Sequence, residues 1–283
     1  MTSKPFGWCG KILKVDLTHG SLTELDTMDY ADRYLGGRGI ATRIYWDEVG
    51  PEVGALDPEN CLILMNGPLT ATGALAASRC AIAGKSPMLM PEGFCYGNLG
   101  GYLPPALKKA GYDGIVVMGR ADRPCYLWIN DGKAKIRDAA SLWGKGTYDV
   151  RDLLRQAHGE RVRFLTTGIA GENLCRTATL LTDHEGSATS GFGAVMGSKN
   201  LKAIAEVGTG RPEVAHPEKL KDLNRLTRRL SQRGLQLVPL PKEDMRNVGK
   251  ASCYQCGLDS FRGLYRTATG KQADLKCQSM IFY

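Results

Sequence analysis

The chain has 283 residues, of which 43% are apolar and 23% charged, and its formal net charge is +8. This composition allows a sizeable buried core and excludes disorder or a collagen-like repeat over the whole chain. No apolar run is long enough for a membrane-spanning helix, and the first residues lack the basic-then-apolar layout of a secretory signal. We therefore expect a soluble, cytoplasmic protein with no membrane span.

Strands are predicted to dominate the first 210 residues, where short β-type runs alternate with glycine turns. The runs cover residues 11–17, 61–65, 115–118, 125–130 and 163–167. His19-Gly20 and Asp131-Gly132 each stand between two such runs and predict β-hairpins. Both hairpins precede a polar, helix-like stretch, at residues 29–34 and 146–158. This parallel suggests an internal two-fold repeat.

The composition changes after residues 208–212, which read Gly-Thr-Gly-Arg-Pro. From Pro217 onward the pattern is helical, and we predict one domain at 1–210 and another at 211–283. The densest basic stretch, residues 219–233, carries leucines at helical spacing and is predicted to be an amphipathic helix with a solvated face. A helix of this kind in a nucleic-acid-binding protein is the alternative interpretation. Because residues 280–283 are apolar, we expect the chain to belong to a longer protein.

Three glycine-rich segments lead into a predicted helix and then a strand, at residues 35–40, 97–101 and 190–200. Glycine permits close backbone approach, and amides at a helix N-terminus bind phosphate oxygens. None of the segments is a dinucleotide fingerprint or a Walker loop, and each alone also fits an ordinary turn. Their joint occurrence suits a large, phosphate-bearing cofactor, with basic or amide side chains nearby at Arg38, Arg79, Asn98 and Lys199.

The nine cysteines are predicted to be reduced, because most stand singly in apolar or mixed stretches. We expect those seven to be mainly small buried side chains: Cys9, Cys61, Cys80, Cys95, Cys125, Cys175 and Cys277. Cys253 and Cys256 alone have the spacing of ligands. Such a pair fits an iron-sulfur cluster or zinc, and equally a redox dithiol or a chance pair.

Acid-base chemistry has one sequence candidate, Asp183-His184-Glu185, just before the third glycine segment. A turn capped by Asp183 is the simpler interpretation. We therefore assign no catalytic base.

Seven motifs in this order resemble the aldehyde ferredoxin oxidoreductase family, in register from residue 10 to about 207. They are G-K-I-L-K-V-D-L-T (10–18), Y-L-G-G-R-G (34–39), P-E-N-C-L-I-L-M-N-G-P-L-T (58–70), S-R-C-A-I-A-G-K-S-P (78–87), G-Y-D-G-I-V-V-M-G (111–119), G-I-A-G-E-N (168–173) and G-A-V-M-G-S-K-N-L-K-A-I (193–204). The resemblance implies an α+β fold. It further implies that two β-sheets with approximate two-fold symmetry carry two pterins, and that the beginning of a mainly α-helical domain follows.

The resemblance also implies cofactors: a tungsten or molybdenum ion held by the pterin dithiolenes, and a neighbouring [4Fe-4S] cluster. Arg79 matches a family arginine near pterin, and Asn98 and Gly100 match a loop that touches pterin and a phosphate-bridging Mg²⁺. A second arginine of the family pattern is replaced by Thr189, so that Thr189 and Ser190 retain only backbone contacts. Arg176 is a possible substitute, although an ordinary surface charge is the simpler interpretation.

For the cluster, the family pattern is C-x-x-C-x-x-x-C with a fourth cysteine far downstream. Cys253 and Cys256 match its first two positions, whereas Ser260 at the third is a doubtful ligand, and Cys277 is expected to be buried. The substrate-handling residues of the family lie in the C-terminal half, so no catalytic residue is assigned and this chain alone is expected to be inactive.

The implied activity is the interconversion of aldehydes and carboxylic acids, with electrons passing through the cluster to ferredoxin or an iron-sulfur partner subunit. The alternatives are an aromatic acyl-CoA reductase subunit of the same family and a non-catalytic iron-sulfur or zinc module. The expected partners exclude nucleic acid and include a second copy of the chain.

Overall fold

A computed structural model of the protein describes residues 5–183, 186–234, 245–250, 252–256, 263–267 and 269–275. The chain divides into two compact units, one of Met1–Thr72 with Arg79–Ala215 and one of Gly73–Ser78 with His216–Tyr283. The functional division between residues 1–210 and 211–283 stays a prediction.

The first half of the larger unit forms a six-stranded sheet with the order β2-β1-β6-β3-β4-β5. Its strands β1 and β6 are parallel, and every other neighbouring pair is antiparallel. The elements of this half are β1 (Lys11–Asp16), β2 (Ser21–Asp26), α1 (Met28–Tyr34), α2 (Arg38–Glu48), β3 (Leu62–Met65), β4 (Cys80–Ser86), β5 (Gly93–Leu99), α3 (Leu103–Lys109) and β6 (Gly114–Met118).

The second half repeats this topology, which confirms the two-fold repeat inferred from the hairpins. Its sheet reads β8-β7-β12-β9-β10-β11, and the parallel pair is β7 with β12. The elements of this half are β7 (Cys125–Asn130), β8 (Lys133–Asp138), α4 (Thr147–His158), β9 (Arg163–Thr167), α5 (Ile169–Glu172), β10 (Leu180–Thr182), β11 (Ser187–Ala188), α6 (Phe192–Ser198) and β12 (Leu201–Val207).

Both predicted hairpins are present. Asp131 and Gly132 have φ of 41° and 80°, and Asn130 pairs with Lys133, so this loop has two residues with the positive φ that a type I′ turn requires. The other loop has four residues, because Asp16 pairs with Ser21. The predicted helices at 29–34 and 146–158 correspond to α1 and α4.

Because side chains alternate along each strand, the two faces of each sheet belong to different apolar clusters. Leu13, Leu64 and Ile82 of the first sheet belong to the same buried cluster as Leu127 and Ile204 of the second. The other face of the first sheet is covered by α2, and α4 covers the other face of the second. Each fully buried Leu or Ile side chain contributes about 1.5–3 kcal/mol relative to an exposed one.

The smaller unit contains α7 (Pro217–Gly234) and the antiparallel strands β13 (Met245–Lys250), β14 (Gly263–Thr267) and β15 (Gln272–Leu275). The helix predicted at residues 219–233 is confirmed. The helical pattern expected beyond it is wrong for these three strands, because pairing between distant segments outweighs weak local preference. Within the described parts of the chain, no helix combines the length and apolar character needed to cross a bilayer.

Candidate functional site

The sheet order brings Arg79, Asn98 and Gly100 to one edge of the first sheet. Strand β4 begins where its antiparallel neighbour β5 ends, with Cys80 opposite Leu99 and Ala81 opposite Asn98. Arg79 directly precedes β4, and Gly100 directly follows β5. The side chains of Arg79 and Asn98 are exposed, so both are open to a ligand at this edge.

The Arg79 side chain runs alongside the backbone of Gly100. A Cβ atom at Gly100 would stand 3.8 Å from both Cγ and Nε of Arg79, and no other atom comes among its near neighbours. The missing side chain therefore leaves this stretch of backbone accessible next to a guanidinium group. An exposed cation beside accessible backbone is an arrangement that binds anionic oxygens.

The loop of the second half meets the same strand. A Cβ atom at Gly97 would lie 3.9 Å from the Thr189 backbone nitrogen and 4.0 Å from Cβ of Ala188. A Cβ at Gly186 would lie 2.9 Å from the carbonyl oxygen of Gly100. Residues 186–189 thus lie against β5 and its loop, so the fold brings the exposed Thr189 beside the first-half residues.

Ser190 forms the turn into α6. It has φ of 65°, and its carbonyl oxygen accepts a hydrogen bond of 2.8 Å from Oγ of Ser86. The next residue, Gly191, has φ of 71°, and a Cβ there would stand 2.3 Å from the carbonyl oxygen of Arg176. Only glycine fits this position, which fixes the path of the chain after Thr189.

Tyr96 is a neighbour of the site that the motifs did not identify. Alternation along β5 places it on the same face as Asn98, and its ring is exposed. The guanidinium carbon of Arg38, at the first turn of α2, lies 4.3 Å from the Tyr96 ring centroid. A second arginine thus stands on this face of β5, and strand alternation was the signal that could have revealed Tyr96.

Lys199 corrects the expectation that it stands near a phosphate. Its side chain is completely buried, and Nζ donates to the carbonyl oxygens of Pro58, at 2.9 Å, and Gly119, at 3.3 Å. Desolvation by burial lowers the pKa of Lys199 to about 8. This amine satisfies backbone carbonyls inside the fold and does not reach an exposed ligand.

Arg176 lies in the turn between α5 and β10. Its Nε donates to the Pro87 carbonyl oxygen at 2.7 Å, and its guanidinium pairs with the Glu92 carboxylate. These contacts support its interpretation as an ordinary surface charge.

Asp183 and Glu206 are two buried acids near the site. The sequence motifs did not connect either of them with cofactor binding. Asp183 is buried and accepts a 2.8 Å bond from Nη1 of Arg163, while residues 184 and 185 lie outside the described part. Glu206 is completely buried on β12. Burial, and next the charge of Asp183, raise the pKa of Glu206 well above its usual range. The sequence signal that could have revealed Glu206 is an acidic residue within the mainly apolar run at 201–207.

Cys253 and Cys256 are half-buried at the two ends of a turn. The amide of Cys256 donates to the carbonyl oxygen of Cys253 at 3.2 Å, and Gln255 has φ of 44°. Nowhere in the described ranges do three or more His, Cys, Asp or Glu side chains form a metal-binding group. Ser260 and Cys277 lie outside those ranges.

No disulfide joins any of the eight described cysteines, as expected. Cys61, Cys80 and Cys125 are buried, and desolvation raises the pKa of their thiols to about 12, 12 and 11. Cys175 is exposed, contrary to the expected burial, because it lies in the turn that follows α5.

Comparison with known proteins places this site in a family. Residues 12–208 match the family described as aldehyde ferredoxin oxidoreductase, N-terminal domain. The tungsten-containing aldehyde ferredoxin oxidoreductase of Pyrococcus horikoshii is 40% identical over 225 residues, which are 78% of this chain and 36% of that protein. The enzyme of the same name from Pyrococcus furiosus is 41% identical over 218 residues, 76% of this chain and 36% of that protein.

Two further similarities extend the comparison. The aliphatic sulfonate oxidoreductase, WOR-like subunit, of Pyrococcus furiosus is 38% identical over 240 residues, covering 78% of this chain and 38% of that protein. The solved active site complex BamBC of benzoyl coenzyme A reductase, in complex with 1,5-dienoyl-CoA, matches 98% of this chain and 50% of the other chain. Its TM-score is 0.83, with 27% identity.

This chain thus spans little more than a third of the length of its curated relatives, 36% to 38%. The family match nevertheless covers both sheets and all the segments that meet at the candidate site. The similarity predicted from the motifs and the α+β architecture of two repeated sheets are both confirmed, and the chain belongs to the aldehyde ferredoxin oxidoreductase family.

Proposed function

We propose that this chain forms the cofactor-binding base of a tungsten- or molybdenum-dependent oxidoreductase that interconverts aldehydes and carboxylic acids. The relatives are named as tungsten-containing oxidoreductases, which supports the class of reaction. The observation that carries the proposal is the meeting of the two halves beside β5, where Arg79 lies along Gly100 and a Cβ at Gly97 would come within 3.9 Å of the Thr189 backbone nitrogen.

The residues present fit an anionic pterin. We propose that Arg79 binds a phosphate oxygen through its guanidinium, Asn98 donates its side-chain amide, and Gly100 offers accessible backbone. Thr189 and Ser190 contribute backbone groups from the second half. Mg²⁺ would suit the same site, because a hard cation prefers oxygen ligands.

The metal and its pterin ligands, when bound, supply the two-electron chemistry. The contribution of this chain is to bind and orient the anionic groups and to exclude water from their inner side. The buried cluster behind the loops, which includes Leu99, Leu180 and Phe192, is apolar and serves the last purpose. No catalytic acid or base is assigned to these residues.

Cys253 and Cys256 are proposed as two ligands of a [4Fe-4S] cluster. The two half-buried cysteines stand at the two ends of one turn, a spacing that suits two ligands of the same cluster. Such a cluster takes four ligands, so two more come from outside the described ranges, and Ser260 stays a doubtful one. A cluster here would pass electrons to ferredoxin or an iron-sulfur subunit, and the net charge of +8 suits an acidic partner.

The reduction of an aromatic acyl-CoA is the second candidate, favoured by the 0.83 TM-score to a benzoyl coenzyme A reductase complex. A non-catalytic iron-sulfur or zinc module is the third. We further propose a cytoplasmic location, since the lack of disulfides among the described cysteines suits a reducing compartment. Nucleic acid is not a proposed partner, whereas a homo-oligomer is compatible with the proposal.

Metal analysis of the intact protein, purified without oxygen, tests the proposal. Tungsten or molybdenum together with pterin supports a metallopterin enzyme, zinc alone supports the module, and no metal with salt-sensitive DNA binding supports a nucleic-acid-binding protein. Aldehyde-dependent or acyl-CoA-dependent viologen turnover then separates the two enzymes. The isolated 283-residue chain is expected to be inactive, and aldehyde-dependent viologen reduction by it would contradict this expectation.

A further inference from the structure

One guanidinium group contacts residues from both halves behind the candidate site. Arg163 begins β9 of the second sheet. Its guanidinium carbon lies 5.1 Å from the ring centroid of Tyr102, which follows Gly100 and Gly101 after β5 and precedes α3. Nη1 of the same side chain donates to Oδ2 of Asp183 at 2.8 Å. Arg163 therefore joins the first-half loop to the segment that follows β10.

Asp183 lies close to Gly186, the second-half residue that approaches Gly100. Its backbone nitrogen donates to the carbonyl oxygen of Phe164 at 3.2 Å. Thr182 and Gly186 are hydrogen-bonded to each other: Thr182 N donates to Gly186 O at 2.8 Å, and Gly186 N donates to Thr182 Oγ1 at 2.9 Å. Because Gly186 lies against the Gly100 carbonyl oxygen, the position of Asp183 influences the distance between the two loops.

The positive charge of Arg163 has its counter-charge within the protein. The Asp183 side chain is 1% exposed and that of Arg163 is 29% exposed, so their pairing takes place largely away from water. Glu206 is opposite Arg163 in the antiparallel register, and it is completely buried. Burial and the nearby Asp183 charge raise the pKa of Glu206, which favours its neutral form. The charge of Arg163 is therefore matched inside the fold by Asp183.

We propose that Arg163 is a positioning residue for the candidate cofactor site. It holds residues 100–102, between β5 and α3, through Tyr102, and it holds the second-half chain beside Gly186 through Asp183, so that Asn98, Gly100 and Thr189 face one ligand at a fixed spacing. The proposal deepens the proposed function and rests on it for the identity of the ligand. The link between the two loops is a property of the cofactor-free protein and is tested separately.

Hydrogen-deuterium exchange of the intact, cofactor-free protein measures the link directly. Arg163→Met is expected to speed exchange of the amides at 98–102 and 186–190 about tenfold, because local opening costs less when the link is gone. Arg137→Met is the matched control: Arg137 is on β8 of the same sheet, with its guanidinium carbon 6.0 Å from the Trp128 ring centroid. Exchange in these segments that equals the control would overturn the proposal.

Conservative variants separate positioning from general stability, and they remain informative if Arg163→Met fails to fold. Arg163→Lys keeps a cation for Asp183 but loses the planar group that stacks on Tyr102. Tyr102→Leu removes the same stacking contact by deleting the aromatic ring and leaving Arg163 unchanged. If both act on one link, the double variant exchanges no faster than either single variant, whereas additive effects would contradict the link.

Cofactor retention in the intact protein supplies the second readout. Arg163→Lys is expected to release tungsten or molybdenum and pterin about tenfold faster than the native protein, with a thermal midpoint equal to that of Arg137→Lys. Unchanged release, with unchanged exchange, would refute the positioning role. If the native protein contains no such metal, the proposed function fails, and the exchange experiment still decides whether Arg163 joins the loops.

Discussion

Lys108 and Asp113 form a completely buried ion pair, with Nζ of Lys108 3.4 Å from Oδ1 of Asp113. The carboxylate also accepts hydrogen bonds from the amides of Cys9 and Gly10 and from Oγ1 of Thr27. Desolvation lowers the pKa of Lys108, and the charge of Asp113 opposes that shift. The pair thus ties the start of β1 and the residue before α1 to the loop that precedes β6.

Asp113→Ala is expected to lower the free energy of unfolding by about 3–5 kcal/mol, because it leaves a buried ammonium group without its counter-ion. Urea unfolding measures the change. Asp152→Ala is the matched control, since the Asp152 side chain, paired with Arg151, is 68% exposed and loss of such a surface pair costs about 1 kcal/mol or less. Equal midpoints for the two variants would show that the buried pair contributes no more than a surface one.

Glu206 is expected to make the protein less stable as the pH rises. Its folded-state pKa is raised above the ordinary 4.5, so between these two values the folded protein holds a proton that the unfolded chain has released. The free energy of unfolding then falls by about 1.4 kcal/mol per pH unit across that window. Glu206→Gln removes this slope and should be more stable than the native protein above pH 7.

Urea unfolding at pH 5, 7 and 9 compares Glu206→Gln with Glu160→Gln, whose side chain is exposed. The native protein and the Glu160 variant should show the same pH slope, and the Glu206 variant a flatter one. Parallel slopes for all three proteins would mean that Glu206 is ionised in the folded state.

Gly197→Ala is expected to destabilise the protein although alanine favours helices. A Cβ atom there would stand 2.0 Å from the carbonyl oxygen of Gly171, a backbone atom in the adjacent α5. Overpacking costs typically 1–3 kcal/mol and outweighs the gain in helix propensity of about 1 kcal/mol. Gly146→Ala is the control, because its nearest neighbour is 3.5 Å away in the Asp149 side chain. Comparable thermal midpoints would contradict the close approach of α5 and α6.

Thr189→Arg tests the departure from the family pattern. Thr189 is exposed beside Gly97, so a longer side chain has room and adds a cation on the second-half loop. Under the proposed function, the variant should hold its phosphate-bearing cofactor more tightly, with a release rate about tenfold lower, as one charge-assisted hydrogen bond of 1.5–3 kcal/mol allows. Thr189→Gln, of intermediate length and neutral, should release it at the native rate. Faster release of the cofactor from the arginine variant would show that its phosphates do not lie near residue 189.

The sequence alone predicted those features that depend on local conformation or on motif order. Asp131-Gly132 identified the two-residue hairpin because few residue pairs adopt positive φ at both positions. The leucine spacing at 220–230 identified α7, since helical period is a local property. The ordered motifs identified the family, and the parallel order of hairpin and helix indicated the repeat that the sheet topology confirms.

Only the tertiary structure decided which of the candidate side chains reach solvent and which meet one another. Lys199 and Arg79 both stand near glycine motifs, yet one is buried on carbonyl oxygens and the other is exposed beside Gly100. Arg163, Asp183 and Glu206 come from three different strands or their ends, and no sequence spacing predicts their contact. The physical reason is that burial and long-range pairing are set by how the sheets pack, whereas local sequence determines only the conformation of each segment.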